Sequence, residues 1–125
     1  MGENRIKLVA ADMDGTLLNR ERKITKYTQN VIKKAMAQGV YFVPATGRAV
    51  NALPPELKEM EGIRYGIFSN GATIYDLKEE KVIYKNHFEM DRVLELMDFL
   101  KQFDLMESIS LNGQSYANKK EMENI

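Results

Sequence analysis

Val9-Ala10-Ala11-Asp12-Met13-Asp14-Gly15-Thr16-Leu17-Leu18 is the stretch from which the fold can be read. An apolar run ends in two aspartates one residue apart, and a glycine and a threonine follow at once. This order places two carboxylates and a tight turn at the C-terminal end of a strand, where open α/β sheets put their ligand sites. At ordinary residue frequencies an Asp-x-Asp-Gly-Thr match arises by chance in roughly one chain per thousand of this length.

Working outward, Ile6 to Ala11 has the near-continuous apolar pattern of a strand covered on both faces. Thr25 is placed to cap a helix whose inner stripe is Tyr27, Val31, Ile32, Ala35 and Met36, and Gly39 is placed to end it. Val40 to Val43 reads as a second strand, and the β-α-β spacing predicts parallel pairing with a right-handed crossover. Pro44-Ala45-Thr46-Gly47-Arg48 makes the next corner, after which Pro54 and Pro55 interrupt any long helix. Tyr65 to Phe68 is a third strand, running into Ser69-Asn70-Gly71-Ala72. All three strands therefore finish in small or polar residues suited to one crevice.

Beyond Thr73 the pattern changes. Thr73–Tyr75 and Val82–Tyr84 flank a charged loop and predict a hairpin. Met90 to Phe103 predicts a helix with Val93, Leu94, Met97, Leu100 and Phe103 on one side. Leu105–Ile109 and Gln114–Ala117 are placed to pair around Asn112-Gly113. The expected organisation is an α/β unit over residues 1–72, a partial Rossmann-like parallel sheet, with the start of an α+β unit over 73–125.

Composition narrows the function classes. Eighteen basic and eighteen acidic residues cancel over 125 positions, leaving no electrostatic footprint for nucleic acid or a membrane surface. The absence of cysteine removes disulfides, thiolate metal sites and cysteine nucleophiles together. No apolar stretch approaches the roughly 18–20 residues that span a bilayer, and no signal-peptide core precedes the first strand. The expectation is a cytoplasmic protein without nucleic-acid or membrane partners. His87, the sole histidine, reads as a surface or packing residue.

The residues at the three corners support phosphoryl chemistry. A strand-end carboxylate is an effective nucleophile toward a phosphoryl group whose charge is neutralised. Asp12 is the candidate nucleophile, and Asp14 the candidate acid for the leaving alkoxide and base for the hydrolytic water. Thr46 offers a hydroxyl and Gly47 an unhindered N–H for a phosphoryl oxygen, and Arg48 is a candidate source of added positive charge. Gly15 lets the chain turn sharply after the carboxylates.

On Ala11-Asp12-Met13-Asp14-Gly15-Thr16-Leu17-Leu18, Ala45-Thr46-Gly47-Arg48 and Ser69-Asn70-Gly71-Ala72, in that order and spacing, the chain resembles the haloacid dehalogenase (HAD) superfamily. The resemblance is strongest to its Cof-like members, which carry an α/β cap after the third strand. It implies Asp12 as nucleophile, Asp14 as acid/base, and Thr46, Gly47, Arg48, Asn70 and Gly71 as phosphate- or substrate-binding residues. It also implies Mg²⁺ held by the Asp12 side chain and the Asp14 backbone carbonyl. The function implied is a Mg²⁺-dependent phosphatase of small phosphorylated metabolites such as sugar phosphates, or, within the same chemistry, a mutase.

The departure lies after Ala72. Such proteins are substantially longer and return to the core with a lysine and an acidic Gly-Asp-x-x-Asn-Asp stretch, and nothing here matches either. Lys119 and Lys120, in the expected cap region, are not assigned that lysine's role. The expectation is an N-terminal piece with impaired activity. The alternative is an inactive truncated core with a binding role that self-associates through the open edge of its first strand or through the partial cap.

Overall fold

A computed structural model describes residues 4–112 and 114–117. Lys119 and Lys120 lie outside the described residues, as does Gly113 of the expected Asn112-Gly113 turn. Five strands form one mixed sheet in the order β1 (Leu8–Asp12), β2 (Tyr41–Ala45), β3 (Tyr65–Phe68), β4 (Thr73–Asp76) and β5 (Lys81–Lys85). The β1–β2 and β2–β3 pairs are parallel, with Asp12 opposite Ala45 and Ala45 opposite Ile67. The ends of β1 and β2, Asp12 and Ala45, thus stand in line with Ile67, one residue before the end of β3.

Helix α1 (Lys26–Ala37) makes the crossover between β1 and β2. Thr25 caps it as expected, its hydroxyl accepting the Thr28 N–H at 3.2 Å, and Gly39 ends it at φ 84°. Between β2 and β3 a 3₁₀ turn at Val50–Ala52 precedes a single helical turn, α2 (Pro55–Lys58), with Pro55 at its start. Met13, Ile24, Ile32, Phe42, Leu53, Leu57, Met60, Ile63 and Phe68 close the core.

The hairpin predicted from Thr73 forms and joins the same sheet, β4 running antiparallel to β3 and β5 to β4. The expected boundary at residue 72 therefore falls inside a continuous hydrogen-bonded sheet. Helix α3 (Met90–Leu100) follows, and β6 (Ser108–Leu111) pairs with β7 (Gln114–Ala117) as a separate two-stranded sheet.

Two expectations of burial and one helix boundary are corrected. Strand β1 is not covered on both faces: Leu8 is 54% exposed and Val9 is exposed too, because too little of the described chain packs over this end of the sheet. The α1 stripe is narrower than predicted, with Ile32 buried but Tyr27 79% exposed and Val31 also open to solvent. Those two side chains lie off the face that packs on the sheet. Helix α3 ends at Leu100 rather than Phe103 and buries none of its residues, leaving Leu94 and Phe103 exposed.

Candidate active site

The first corner is organised by Met13, which is fully buried and anchors the turn in the core. Its neighbours on either side, Asp12 and Asp14, consequently face solvent. Asp12 Oδ1 accepts the Met13 N–H at 2.8 Å, which fixes one face of that carboxylate. The chain then runs extended through Asp14 and turns at Gly15, φ 77°, where a side chain would be strained. The Leu18 N–H closes the turn on the Met13 carbonyl at 2.9 Å.

The second and third corners are sewn together by the backbone. The Thr46 N–H donates to the Ile67 carbonyl at 2.9 Å, the Asn70 N–H to the Thr46 carbonyl at 3.1 Å, and the Ser69 N–H to the Arg48 carbonyl at 3.0 Å. Buried Thr46 also accepts the Arg48 N–H on its hydroxyl oxygen at 3.1 Å. That leaves the hydroxyl proton free to donate outward. Ser69, Asn70 and Gly71 adopt φ values of 51°, 55° and 92°, three consecutive residues in the left-handed region. Such backbone costs about 1–3 kcal/mol at each non-glycine position and persists only where the surroundings hold it. Gly47 packs closely here, and a Cβ on it would stand 2.8 Å from Asn70 Oδ1 and oblige that side chain to shift.

These corners surround an open hollow of about 360 Å³ lined by Asp12, Ala45, Thr46, Gly47, Ile67, Asn70 and Gly71. Five of the seven residues expected at the site line it. The other two, Asp14 and Arg48, meet beside it. Arg48 Nε donates to Asp14 Oδ2 at 2.9 Å and Nη2 to Oδ1 at 2.6 Å, a two-pronged pair. The hydrogen bond from Arg48 holds the Asp14 carboxyl below the usual carboxylate range, and the same pair raises Arg48. A larger hollow, about 580 Å³, lies between α1 and the residues after α2, lined by Lys33, Met36, Met60 and Gly62 among others, and holds neither carboxylate of the first corner.

Two features escaped the sequence reading. The Ser69 hydroxyl is buried with no hydrogen-bond partner among the described residues, and only the Ser-Asn-Gly string hinted at a special corner. His87 Nε2 lies 3.0 Å from Thr73 Oγ1, tying the segment before α3 to the start of β4. Among the described residues no group of three or more acidic or histidine side chains is placed to hold a metal. The Asp12 carboxylate and the Asp14 carbonyl, which the resemblance implies as Mg²⁺ ligands, are hard oxygens of the type that ion prefers.

A family model for haloacid dehalogenase-like hydrolases matches residues 9–125. The chain belongs to the haloacid dehalogenase-like hydrolases. A HAD relative from Buchnera aphidicola (Schizaphis graminum) is 38% identical over 121 residues, covering 94% of this chain and 43% of that protein. A Bacillus subtilis 5-amino-6-(5-phospho-D-ribitylamino)uracil phosphatase is 37% identical over 89 residues, 68% of this chain and 36% of its own. Among solved structures, a HAD-like hydrolase from B. subtilis superposes with a TM-score of 0.79 at 26% identity, over 95% of this chain and 42% of the other. A HAD subclass IIB sugar phosphatase superposes at 0.76 with 27% identity, over 95% of this chain and 47% of the other. The chain spans less than half the length of each of these proteins. None of its described helices is long and apolar enough to cross a membrane.

Proposed function

We propose that this HAD chain carries the nucleophile half of a phosphatase site for small phosphorylated metabolites, sugar phosphates being the leading class. The observation that carries the reading is the single hollow joining Asp12 to Thr46, Gly47 and Asn70. The Asp12 carboxylate attacks phosphorus in line, forming an aspartyl-phosphate as the bond to the ester oxygen breaks. Asp14 delivers a proton to the departing alkoxide. It then takes a proton from water, whose oxygen attacks the aspartyl-phosphate, releasing inorganic phosphate and restoring Asp12. The free Thr46 hydroxyl proton and the Gly47 N–H donate to phosphoryl oxygens as charge shifts onto them. Mg²⁺, held by Asp12 and the Asp14 carbonyl, supplies charge neutralisation when bound.

On the same reading the segment that follows β5 begins a cap over the crevice, with Asn70 and Gly71 near its entry, and the protein works in the cytoplasm. The uncovered β1 edge, with Leu8 and Val9 exposed, favours self-association. Sedimentation tests that point, and a monodisperse monomer contradicts it.

Phosphate release from p-nitrophenyl phosphate and a panel of sugar phosphates, with Mg²⁺ in excess, tests the assignment. Turnover abolished by Asp12→Asn supports it. Phosphoryl retained on a second hydroxyl of the product indicates a mutase instead. No release from the wild type indicates a core serving only in binding.

A further inference from the structure

We propose that Arg48 is a positioning residue for Asp14 and not a ligand of the phosphoryl group, an inference that rests on the phosphatase reading above. Arg48 does not line the hollow that holds Asp12, Thr46 and Gly47. All three of its guanidinium nitrogens are engaged elsewhere: Nε and Nη2 on the two oxygens of Asp14, at 2.9 and 2.6 Å, and Nη1 on the Ala52 carbonyl at 3.1 Å. Its backbone is equally fixed, the N–H on the Thr46 hydroxyl and the carbonyl on the Ser69 N–H. The fork is thus clamped at its root by its own corner and the third, and at its tip by the segment before α2.

Asp14 has no comparable support of its own. It lies on an exposed extended residue just before the Gly15 turn, and its carboxylate is 56% exposed. Left alone, such a side chain samples several rotamers. A planar guanidinium meeting both oxygens selects one orientation, which the single ammonium of lysine cannot do. Arg48 thereby links the second corner to the carboxylate of the first across 34 residues of sequence. With both oxygens on a guanidinium, Asp14 is held as the carboxylate that takes the proton from the hydrolytic water, and a displacement near 1 Å in that step costs about 100-fold.

The test compares Arg48→Met, Arg48→Lys and Asp14→Asn in the purified protein, each checked for folding by circular dichroism. Turnover of p-nitrophenyl phosphate is measured together with competitive inhibition by inorganic phosphate. The expected result for Arg48→Met is a fall in kcat of about 10–100-fold with phosphate affinity held within about threefold. Arg48→Lys recovers only part of the loss. Adding Arg48→Met to Asp14→Asn costs little more, because the two act as one unit. Phosphate affinity falling tenfold or more in Arg48→Met makes Arg48 a phosphate ligand and overturns the proposal, as does an unchanged kcat. Should Arg48→Met fail to fold, Arg48→Lys alone decides on the same two readouts. Turnover that survives Asp12→Asn is a separate result, refuting the phosphatase reading and this inference with it.

Discussion

Gly66→Ala is the substitution for which the structure predicts the largest penalty from the smallest chemical change. A Cβ built on Gly66 stands 2.4 Å from Phe68 Cε2 and 2.6 Å from Cζ. Carbon atoms in contact prefer about 3.5–4.0 Å, so the ring must retreat by roughly 1 Å. It has nowhere to go. Phe68 is fully buried, and its ring meets Tyr75 edge-to-face with centroids 6.5 Å apart, while Tyr75 is the β4 residue directly opposite Gly66. Overpacking costs about 1–3 kcal/mol and a disturbed aromatic pair about 0.5–1.5 kcal/mol. Alanine returns about 0.5–1 kcal/mol through its lower backbone entropy. The net expectation is a loss of about 1–3 kcal/mol, a large share of the 5–15 kcal/mol typical of a domain. Urea denaturation followed by circular dichroism reads it as a midpoint lowered by roughly 1 M at unchanged slope. Gly15→Ala is the companion: nothing lies within 4 Å of its Cβ, but φ is 77°, so only the backbone is strained, at about 1 kcal/mol. A Gly66→Ala protein as stable as wild type refutes the packing argument.

Thr25→Ala removes the acceptor for the Thr28 N–H at the start of α1 and should cost about 1 kcal/mol, read as a lower thermal midpoint. The acid limb of stability depends on Asp76. Its carboxyl is held below the ordinary carboxylate range first by the Glu79 N–H, then by the Arg64 side chain and the Lys78 N–H. A lowered folded value means the contribution is complete above about pH 4 and is lost as pH falls through the lowered value. Asp76→Asn therefore flattens the decline of the thermal midpoint below about pH 4. Asp14, lowered by Arg48, acts in the same direction. Because that pair is partly exposed, added salt weakens its contribution.

What the sequence revealed and what it concealed follow one physical division. Signals written in adjacent residues were legible: the Thr25 cap, the Gly15 turn, the break at Pro54-Pro55, and three strands ending in small or polar residues. The corners were legible as one site because parallel strands joined by crossovers end at the same edge of the sheet, which brings Asp12 beside Ala45. Burial was not legible where it depends on what stands opposite. The apolar string of β1 read as covered, yet coverage is supplied by other elements, and Leu8 faces solvent, as does Leu94 on the apolar side of α3. Tyr27 was assigned to the inner face of α1 because helical spacing alone cannot say how wide the packed stripe is. The Arg48–Asp14 pair spans 34 residues and has no local signature. Nor does the way the Phe68 ring lies across Gly66, which shows only once β3 and β4 are paired.

The proposed phosphatase mechanism passes through a covalent phosphoryl group on Asp12. The direct measurement is a rapid acid quench of the protein mixing with p-nitrophenyl phosphate and Mg²⁺, followed by mass spectrometry of the peptide containing Asp12 and Asp14. The account predicts one phosphoryl group on Asp12, absent from Asp12→Asn. Turnover with no adduct on that peptide, or with the adduct on another residue, contradicts it.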